Sequence, residues 1–518
     1  MPTRPNDPEQ DQPAETTRSA APGVRAGAHA RGAGTDSTTP ATPDAAAPAG
    51  ATAAGVRTGA HARRSNLGDP VPATDATSPP SGEADATPSA DVTASADAAP
   101  RGHDPEAVRA RLAAMPRPST DDPRILLERQ PSADLFEPIP PYPTRTEREA
   151  EFYSLGDGEM FLNVGPQHPA THGVLRLVLK LSGEQVVDVD PVIGYLHRGV
   201  EKICENSDYY HVIDQVDPLE YISSLFQEWA AVLTFEKLMD VQVPRRAEYI
   251  RVLTSELLRI ASHSLYMGFL ALDLGGITPI LYGFIERDEI VEMLASVTGA
   301  RMLFNYFRIG GVNGDLNHEF MSRLGDWMSR AAKQTEANAT LLNENEIFVR
   351  RARGVGVLDR ELALRMGITG GNLRASGVAF DVRRAHPYSV YPELQFNVPT
   401  RDEGDSLARY LIRVDEVRES IRIIDQCLHN MPDGPIMAKL PRLLRPRPGR
   451  AWGAVEGPRG MMGVYAISDG SDQPFRFRIH DPSLLALEVV PLLLPGNLLA
   501  DTMAIVSSLD PVMGGVDK

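Results

Sequence analysis

The sequence predicts an α+β protein: a helical bundle core with small antiparallel sheets, preceded by a disordered N-terminal tail. Three observations carry that prediction. Stripes of Leu, Ile and Val recur at helical spacing through the middle of the chain. Two short segments, one on each side of the helical region, alternate apolar with charged residues around turn residues. The N-terminal stretch holds almost no aromatic or branched apolar side chains.

Residues 1–120 are rich in Ala, Pro, Thr, Gly and Asp. Such a segment buries too little apolar surface to offset its ordering entropy and reads as a disordered low-complexity tail. Its near-repeat, GVRAGAHAR from Gly23 and GVRTGAHAR from Gly55, reads as duplicated low-complexity sequence rather than a pair of binding motifs. Residues 121–150 form a Pro-rich linker, and 151–518 form the folded domain, with order beginning near Met160. From Val174 to Leu181, Leu175, Leu177, Leu179 and Leu181 share one face and Arg176 and Lys180 the other. Ser182-Gly183 and then Val186 to Val189 follow, which predicts a β-hairpin. Val464 to Ile467, Asp469-Gly470 and the alternation through Phe475, Phe477 and Ile479 predict a second.

Between them lie the helices. Leu219, Ile222, Leu225, Phe226, Trp229 and Leu233 form one stripe, and Ile250, Leu253, Leu257, Ala261 and Leu265 another. A long helix is predicted to start near Asp315 and run past Trp327, and Tyr410 to Leu428 forms a further stripe. Pro244 and the run from Gly275 to Pro279 break these segments. The stripes are core, not cofactor boxes.

The 518 residues allow two or three domains, and a net charge of −17 argues against nucleic-acid binding. Two distant cysteines, Cys204 and Cys427, argue against a disulfide framework and against a thiolate-held zinc or iron–sulfur centre. The most apolar stretch, Leu484 to Ile505, is interrupted by Glu488, Pro491, Pro495 and Asp501, so no transmembrane helix is expected. No apolar signal region opens the chain, and a soluble or peripheral cytoplasmic protein is expected.

Motifs that would fix the chemistry outright are few. No dinucleotide fingerprint, phosphate loop or G-x-S-x-G motif is present. Gly165-Pro166-Gln167-His168-Pro169-Ala170-Thr171-His172-Gly173 is a rigid turn before a strand. Its two histidines are four apart, a metal-pair spacing on a helix, but Pro169 argues against that helix and no third ligand lies near in sequence. On the residues alone they read as hydrogen-bonded turn residues. Tyr221 reads as a core aromatic on a helix beginning near Leu219, and Asp273 as a helix-terminal or turn carboxylate. Glu201-Lys202 and Glu286-Arg287 read as surface ion pairs.

The order of motifs adds a resemblance. LNVGPQHPATHGVLRLVL at Leu162, IGYLHRGVEK at Ile193, ALDLGGITP at Ala271, RARGVGVL at Arg351, ITGGNLRASGV at Ile368, RGMMGVYAISDG at Arg459 and SLDPVMGGVDK at Ser508 resemble, in order, the D (49-kDa) subunit of respiratory complex I. That family is similar to the large subunit of nickel–iron hydrogenases, which implies a hydrogenase-large-subunit-like fold. Hydrogenases hold their metal in part with a C-terminal D-P-C-x-x-C pair, and Val512 and Gly515 stand where those thiolates would be. Neither side chain ligates nickel, so the resemblance implies a scaffold without the metal and a quinone pocket in its place.

By the same resemblance His172 and Tyr221 hydrogen-bond the quinone and donate its two protons, and Asp273 pairs with that histidine. Arg198 would stand near a partner's terminal iron–sulfur cluster and stabilise its reduced form. The implied assembly is a proton-translocating NADH-quinone oxidoreductase at the cytoplasmic side of the cell membrane. This chain would hold no metal or cofactor of its own. Iron–sulfur clusters and FMN would sit on partner subunits, among them the B, C and I peripheral subunits and the H membrane subunit. The alternatives are a paralogous subunit of a complex fed by ferredoxin or another donor, and a non-catalytic scaffold. The chain departs from the family at Pro218, where Arg is usual, at Leu303, where a histidine usually couples the cluster's potential to pH, and in a short Pro435–Gly449 segment.

Overall fold

In the computed structural model, residues 152–518 are described, apart from 169, 170 and 172. The tail, the linker and His172 therefore lie outside the described residues. The described chain is mixed helix and small antiparallel sheet, as expected for an α+β protein.

The first sheet has three antiparallel strands in sequence order, β1 (Glu159–Val164), β2 (Arg176–Ser182) and β3 (Gln185–Val192). Leu175, Leu177, Leu179 and Leu181 point inward as their alternation requires. On the other face Arg176 donates to Asn163 at 2.9 Å and Lys180 pairs with Glu159 at 3.0 Å. Those two partners belong to β1, a strand whose own sequence shows no clear alternation of burial.

The longer helices that follow are α1 (Leu225–Met239), α2 (Arg245–Asp273), α3 (Thr278–Thr298), α4 (His318–Asn343), α5 (Ser406–Asn430) and α6 (Leu499–Leu509). Pro244 caps the start of α2, Asn317 accepts from the Phe320 amide at α4, and Asp405 accepts from the Ala408 amide at α5. The stripe expected to begin at Leu219 is interrupted. Asp217–Glu220 forms a single 3₁₀ turn with Pro218 at its start, and α1 begins only at Leu225. The break lets Leu219 and Glu220, adjacent in sequence, both turn inward. Tyr221 therefore lies off the long helix, correcting the helical reading of its position.

Helix α3 buries Ile290, Val291, Met293 and Leu294 in its second half, but its first half inverts the usual pattern. Gly283 and Glu286 face inward, while Ile277 just before it and Leu281, Phe284 and Ile285 are exposed. A Cβ on Gly283 would stand 2.4 Å from the Ser264 carbonyl oxygen, and one on Gly268 2.7 Å from the Cα of Ile280. Missing side chains thus allow α2 and α3 to touch backbone to backbone. Glu286 is no surface ion pair: it is buried and accepts from Ser264 at 2.8 Å and Asn338 at 3.1 Å. Nor does Glu201 pair with Lys202, which reaches Glu205 at 2.9 Å. Glu201 accepts instead from Arg478 at 2.9 Å and from the Ile479 amide at 2.9 Å.

A two-residue ribbon, β4 (Phe307–Arg308) with β5 (Gly311–Val312), precedes α4. The last sheet is β6 (Gly449–Gly457), β7 (Gly460–Ser468) and β8 (Arg476–His480), again antiparallel in sequence order. It lies on α1, where Thr234 donates to the Val464 carbonyl at 3.1 Å. One apolar core joins α1, α2, α4, α5 and this sheet. A second joins β2 and β3 to Leu358, Ile368, the C-terminal helices and Met513.

The bundle core is also ionic. Arg374 is fully buried between Glu416 at 2.5 Å and Glu456 at 2.8 Å, and Arg383 lies between Asp381 at 2.7 Å and Glu256 at 3.0 Å. Each charge removed from water here is matched by a short partner, the condition under which burying it is tolerable.

Candidate functional site

The C-terminal segment after α6 is where the singled-out residues converge. Helix α6 ends at Asp510 in the left-handed conformation, and a short helix, Met513–Val516, follows. A Cβ on Gly514 would lie 2.5 Å from the Leu219 carbonyl oxygen, so this helix packs directly on the 3₁₀ turn. Tyr221 leaves that turn half-buried. Burial pushes its phenol up, and Glu220 adds to the rise whenever it is ionised, against the opposing pull of Arg459 and the Met513 backbone. The phenol is therefore a neutral proton carrier at physiological pH.

Beneath it, Arg459 is held in the tight β6–β7 turn. It donates to Glu220 at 3.0 Å, to Ser262 of α2 at 3.0 Å, and to the carbonyl and carboxylate of Asp510 at 3.1 and 3.2 Å. Burial works against its charge, but Asp510 and Glu220 outweigh it and keep the guanidinium protonated. Glu220 is completely buried; desolvation pushes its carboxyl up to about 7 despite Arg459, with Asp481 and Asp510 adding to the rise.

Asp273 is the last residue of α2, and Ser507 of α6 donates to its carboxylate. A carboxylate at a helix C-terminus faces the negative end of the helix dipole, so helix stability gives no reason for an acid there. Tyr221 and Asp273 thus approach the same segment, one at Met513 and the other at Ser507. No hydrogen bond joins them directly among the described contacts.

His172 has no described position, but its turn is partly described. Thr171 is buried and its hydroxyl donates to the Pro166 and His168 carbonyls, both at 3.0 Å. Gly165 has φ +82°, and a Cβ there would lie 2.2 Å from the Leu175 carbonyl oxygen, so glycine is required. Leu175 lies in the same apolar cluster as Leu509, Met513 and Val516, which ties the strand after this turn to the C-terminal segment.

Arg198 sits apart, exposed on the 193–199 loop. Asp517 holds that loop, accepting from the Gly194 amide at 2.8 Å and the Leu196 amide at 2.7 Å, while its carbonyl meets His197 at 3.0 Å. The loop's outer side chains, Ile193, Tyr195 and Leu196, are apolar and exposed.

Sequence reasoning missed Glu220, Arg459, Asp481 and Asp510 as a unit. Arg459 and Asp510 stand inside the family motifs, but nothing in spacing ties a β-turn arginine to a carboxylate 239 positions away. The Asp481 carboxylate caps the helix Pro482–Glu488 and lies 2.0 Å from where a Gly515 Cβ would be. The space in front of Gly515 is filled by that carboxylate. Cys204 and Cys427 are buried free thiols, and among the described residues no group of three His, Cys, Asp or Glu is placed to hold a metal ion.

Comparison with known proteins decides the family. The family model for the 49-kDa subunit of respiratory-chain NADH dehydrogenase matches residues 273–448 and 442–518. The D subunit of NADH-quinone oxidoreductase from Clostridium beijerinckii is 45% identical over 360 residues, covering 70% of this chain and 97% of the relative. The chain belongs to the 49-kDa family of respiratory NADH dehydrogenase subunits. The D subunits from Carboxydothermus hydrogenoformans, 44% identical over 359 residues, and from one strain of Dehalococcoides mccartyi, 46% over 358, each match 69% of this chain and 98% of their own. In this 49-kDa family member the family model's match begins at Asp273 and takes in Arg459, Asp481, Asp510 and the C-terminal segment.

Proposed function

We propose that this chain is the peripheral-arm subunit of a proton-translocating NADH-quinone oxidoreductase whose quinone is reduced against His172 and Tyr221. Family membership supports the subunit role. The observation that supports the site is the meeting of Tyr221 and Asp273 on the Ser507–Met513 segment.

In the reaction two electrons and two protons reach the quinone. The electrons come from an iron–sulfur cluster of a neighbouring subunit, near which Arg198 projects as a cation. Tyr221 supplies one proton from a phenol that its surroundings keep neutral. His172 supplies the other, with Asp273 favouring the charged imidazole. The fold is that of a hydrogenase large subunit with its nickel chemistry gone. Val512 and Gly515 offer no ligand atom, and the Asp481 carboxylate stands where a Gly515 side chain would start.

The partners are the B, C and I peripheral subunits and the H membrane subunit, with the enzyme at the cytoplasmic side of the cell membrane. No helix among the described residues is long and apolar enough to cross a membrane. The exposed apolar side chains on the 193–199 loop and the outer face of α3 are suited to burial against the partners. Leu303 cannot titrate, so the neighbouring cluster's potential should depend only weakly on pH; a full proton-coupled slope in redox titration would refute this.

The decisive test is Tyr221→Phe in the assembled complex. Quinone-dependent turnover is expected to fall strongly, about a hundredfold for loss of a positioned acid, with assembly intact. Unchanged turnover refutes the site. Identification of co-purifying subunits tests the assembly, because NADH oxidation requires a flavin subunit.

A further inference from the structure

The Glu220 cluster has one feature that the roles of Tyr221 and His172 leave unused. Three carboxyls, Glu220, Asp481 and Asp510, converge below Tyr221 from three separate parts of the chain. One guanidinium, Arg459, touches both Glu220 and Asp510. Arg413 of α5 lies farther off, 3.9 Å from Asp510, and Lys518 and His480 act on Asp481 through their charge. Each of the three carboxyls keeps one buried oxygen with no hydrogen-bond partner among the described residues: Glu220 Oε2, Asp481 Oδ2 and Asp510 Oδ2. A buried carboxylate oxygen left unpartnered is costly, whereas a protonated carboxyl there carries no charge to solvate. The cluster is therefore built to keep a proton, and Glu220, the most buried of the three and next to Tyr221 in the chain, is where it resides.

We infer that Glu220 is the internal proton store of this site and returns a proton to Tyr221 after Tyr221 has given its own to the reduced quinone. The inference rests on the reading of Tyr221 as the quinone's proton donor. The quinone takes two electrons, one after the other, from an iron–sulfur centre of a neighbouring subunit that the electron donor re-reduces between them. As the Tyr221 O–H bond breaks, an O–H bond forms on one quinone oxygen and a phenolate remains. The Glu220 O–H bond then breaks, the phenol O–H bond re-forms, and the proton's charge is left behind on Glu220. Arg459, already 3.0 Å away, pairs with that new carboxylate and also draws the phenol's affinity for protons down. Solvent protons refill Glu220 between turnovers. Glu220 does not touch the quinone; it is a positioning residue for the proton and acts through Tyr221.

Glu220→Gln, Glu220→Asp and Tyr221→Phe are compared in the assembled complex, with a short-chain quinone and the complex's own electron donor. Glu220→Gln keeps the shape and neutrality of the protonated acid but cannot release a proton. It is expected to lower kcat about tenfold or more with the quinone KM changed less than about twofold. Wild-type kcat should fall as pH rises past about 7, where the store empties, while the Gln variant should be flat across that range. Glu220→Asp should retain most of the turnover. Redox-difference infrared spectra should show a carboxyl C=O band in wild type that the Gln variant lacks. A Gln variant with the wild-type kcat and pH profile overturns the inference. If that variant does not assemble, Glu220→Asp carries the test, and an unshifted carboxyl band with an unshifted pH profile overturns it. Full turnover in Tyr221→Phe overturns the donor reading itself, an outcome separate from failure of Glu220→Gln alone.

Discussion

Glu220 also makes a prediction that needs no turnover. Its carboxyl is raised from an ordinary value of 4.5 to about 7 in the folded chain. Between those two values the native state holds a proton that the unfolded chain has released. The group's contribution is complete below pH 4.5, is lost progressively as pH rises, and is gone above about 7. A shift of that size corresponds to about 3 kcal/mol, at roughly 1.4 kcal/mol per pH unit. Glutamine cannot titrate, yet its amide oxygen can accept from Arg459 and Ser223 as Glu220 Oε1 does at 3.0 and 3.1 Å. Glu220→Gln should therefore match wild type near pH 5 and gain on it by about 3 kcal/mol by pH 8. Urea unfolding of both proteins at half-unit pH steps measures the difference. Parallel stability curves from pH 5 to 8 would refute the reasoning, because they would mean Glu220 is already ionised in the native state.

Other consequences follow from the same geometry. Arg374→Met leaves Glu416 and Glu456 buried without their guanidinium and should cost about 3–5 kcal/mol in chemical denaturation. Adding Glu416→Gln and Glu456→Gln should recover much of that loss, and no recovery would show that the arginine stem, not its charge, mattered. Gly283→Val drives a side chain into the Ser264 carbonyl and should cost at least about 1–3 kcal/mol in the same assay, with the α2–α3 contact opening to hydrogen exchange. Asp517→Ala removes the acceptor for the Gly194 and Leu196 amides, each such bond contributing about 1.5–3 kcal/mol. Faster limited proteolysis within residues 193–199 should report it; an unchanged cleavage pattern would mean the loop is held by other contacts.

The elements read correctly from sequence were those with one apolar face. The Leu175–Leu181 alternation and the α2, α4 and α5 stripes each separate a buried side from a wet one, so their period survives in the sequence. Helix α3 escaped because only its second half, with Ile290, Met293 and Leu294, buries an apolar face, while its first half turns Gly283 and Glu286 inward and Leu281, Phe284 and Ile285 outward. Strand β1 escaped because its alternation is weak, and the start of α1 was misplaced because Leu219 is buried on a 3₁₀ turn rather than a helix. The site was legible only through the resemblance. From the residues alone Tyr221 and Asp273 looked structural, and His172 falls outside the described residues.

By itself the sequence determined the family, the α+β class and the absence of thiolate ligands at Val512 and Gly515, because each depends on residue identity or on neighbours a few positions away. Only the tertiary structure decided that Glu220, Ser262, Arg459 and Asp510 form one buried cluster. A carboxyl's charge state is set by desolvation and by partners within a few ångströms, and those partners come from four distant segments that meet only when the chain has folded.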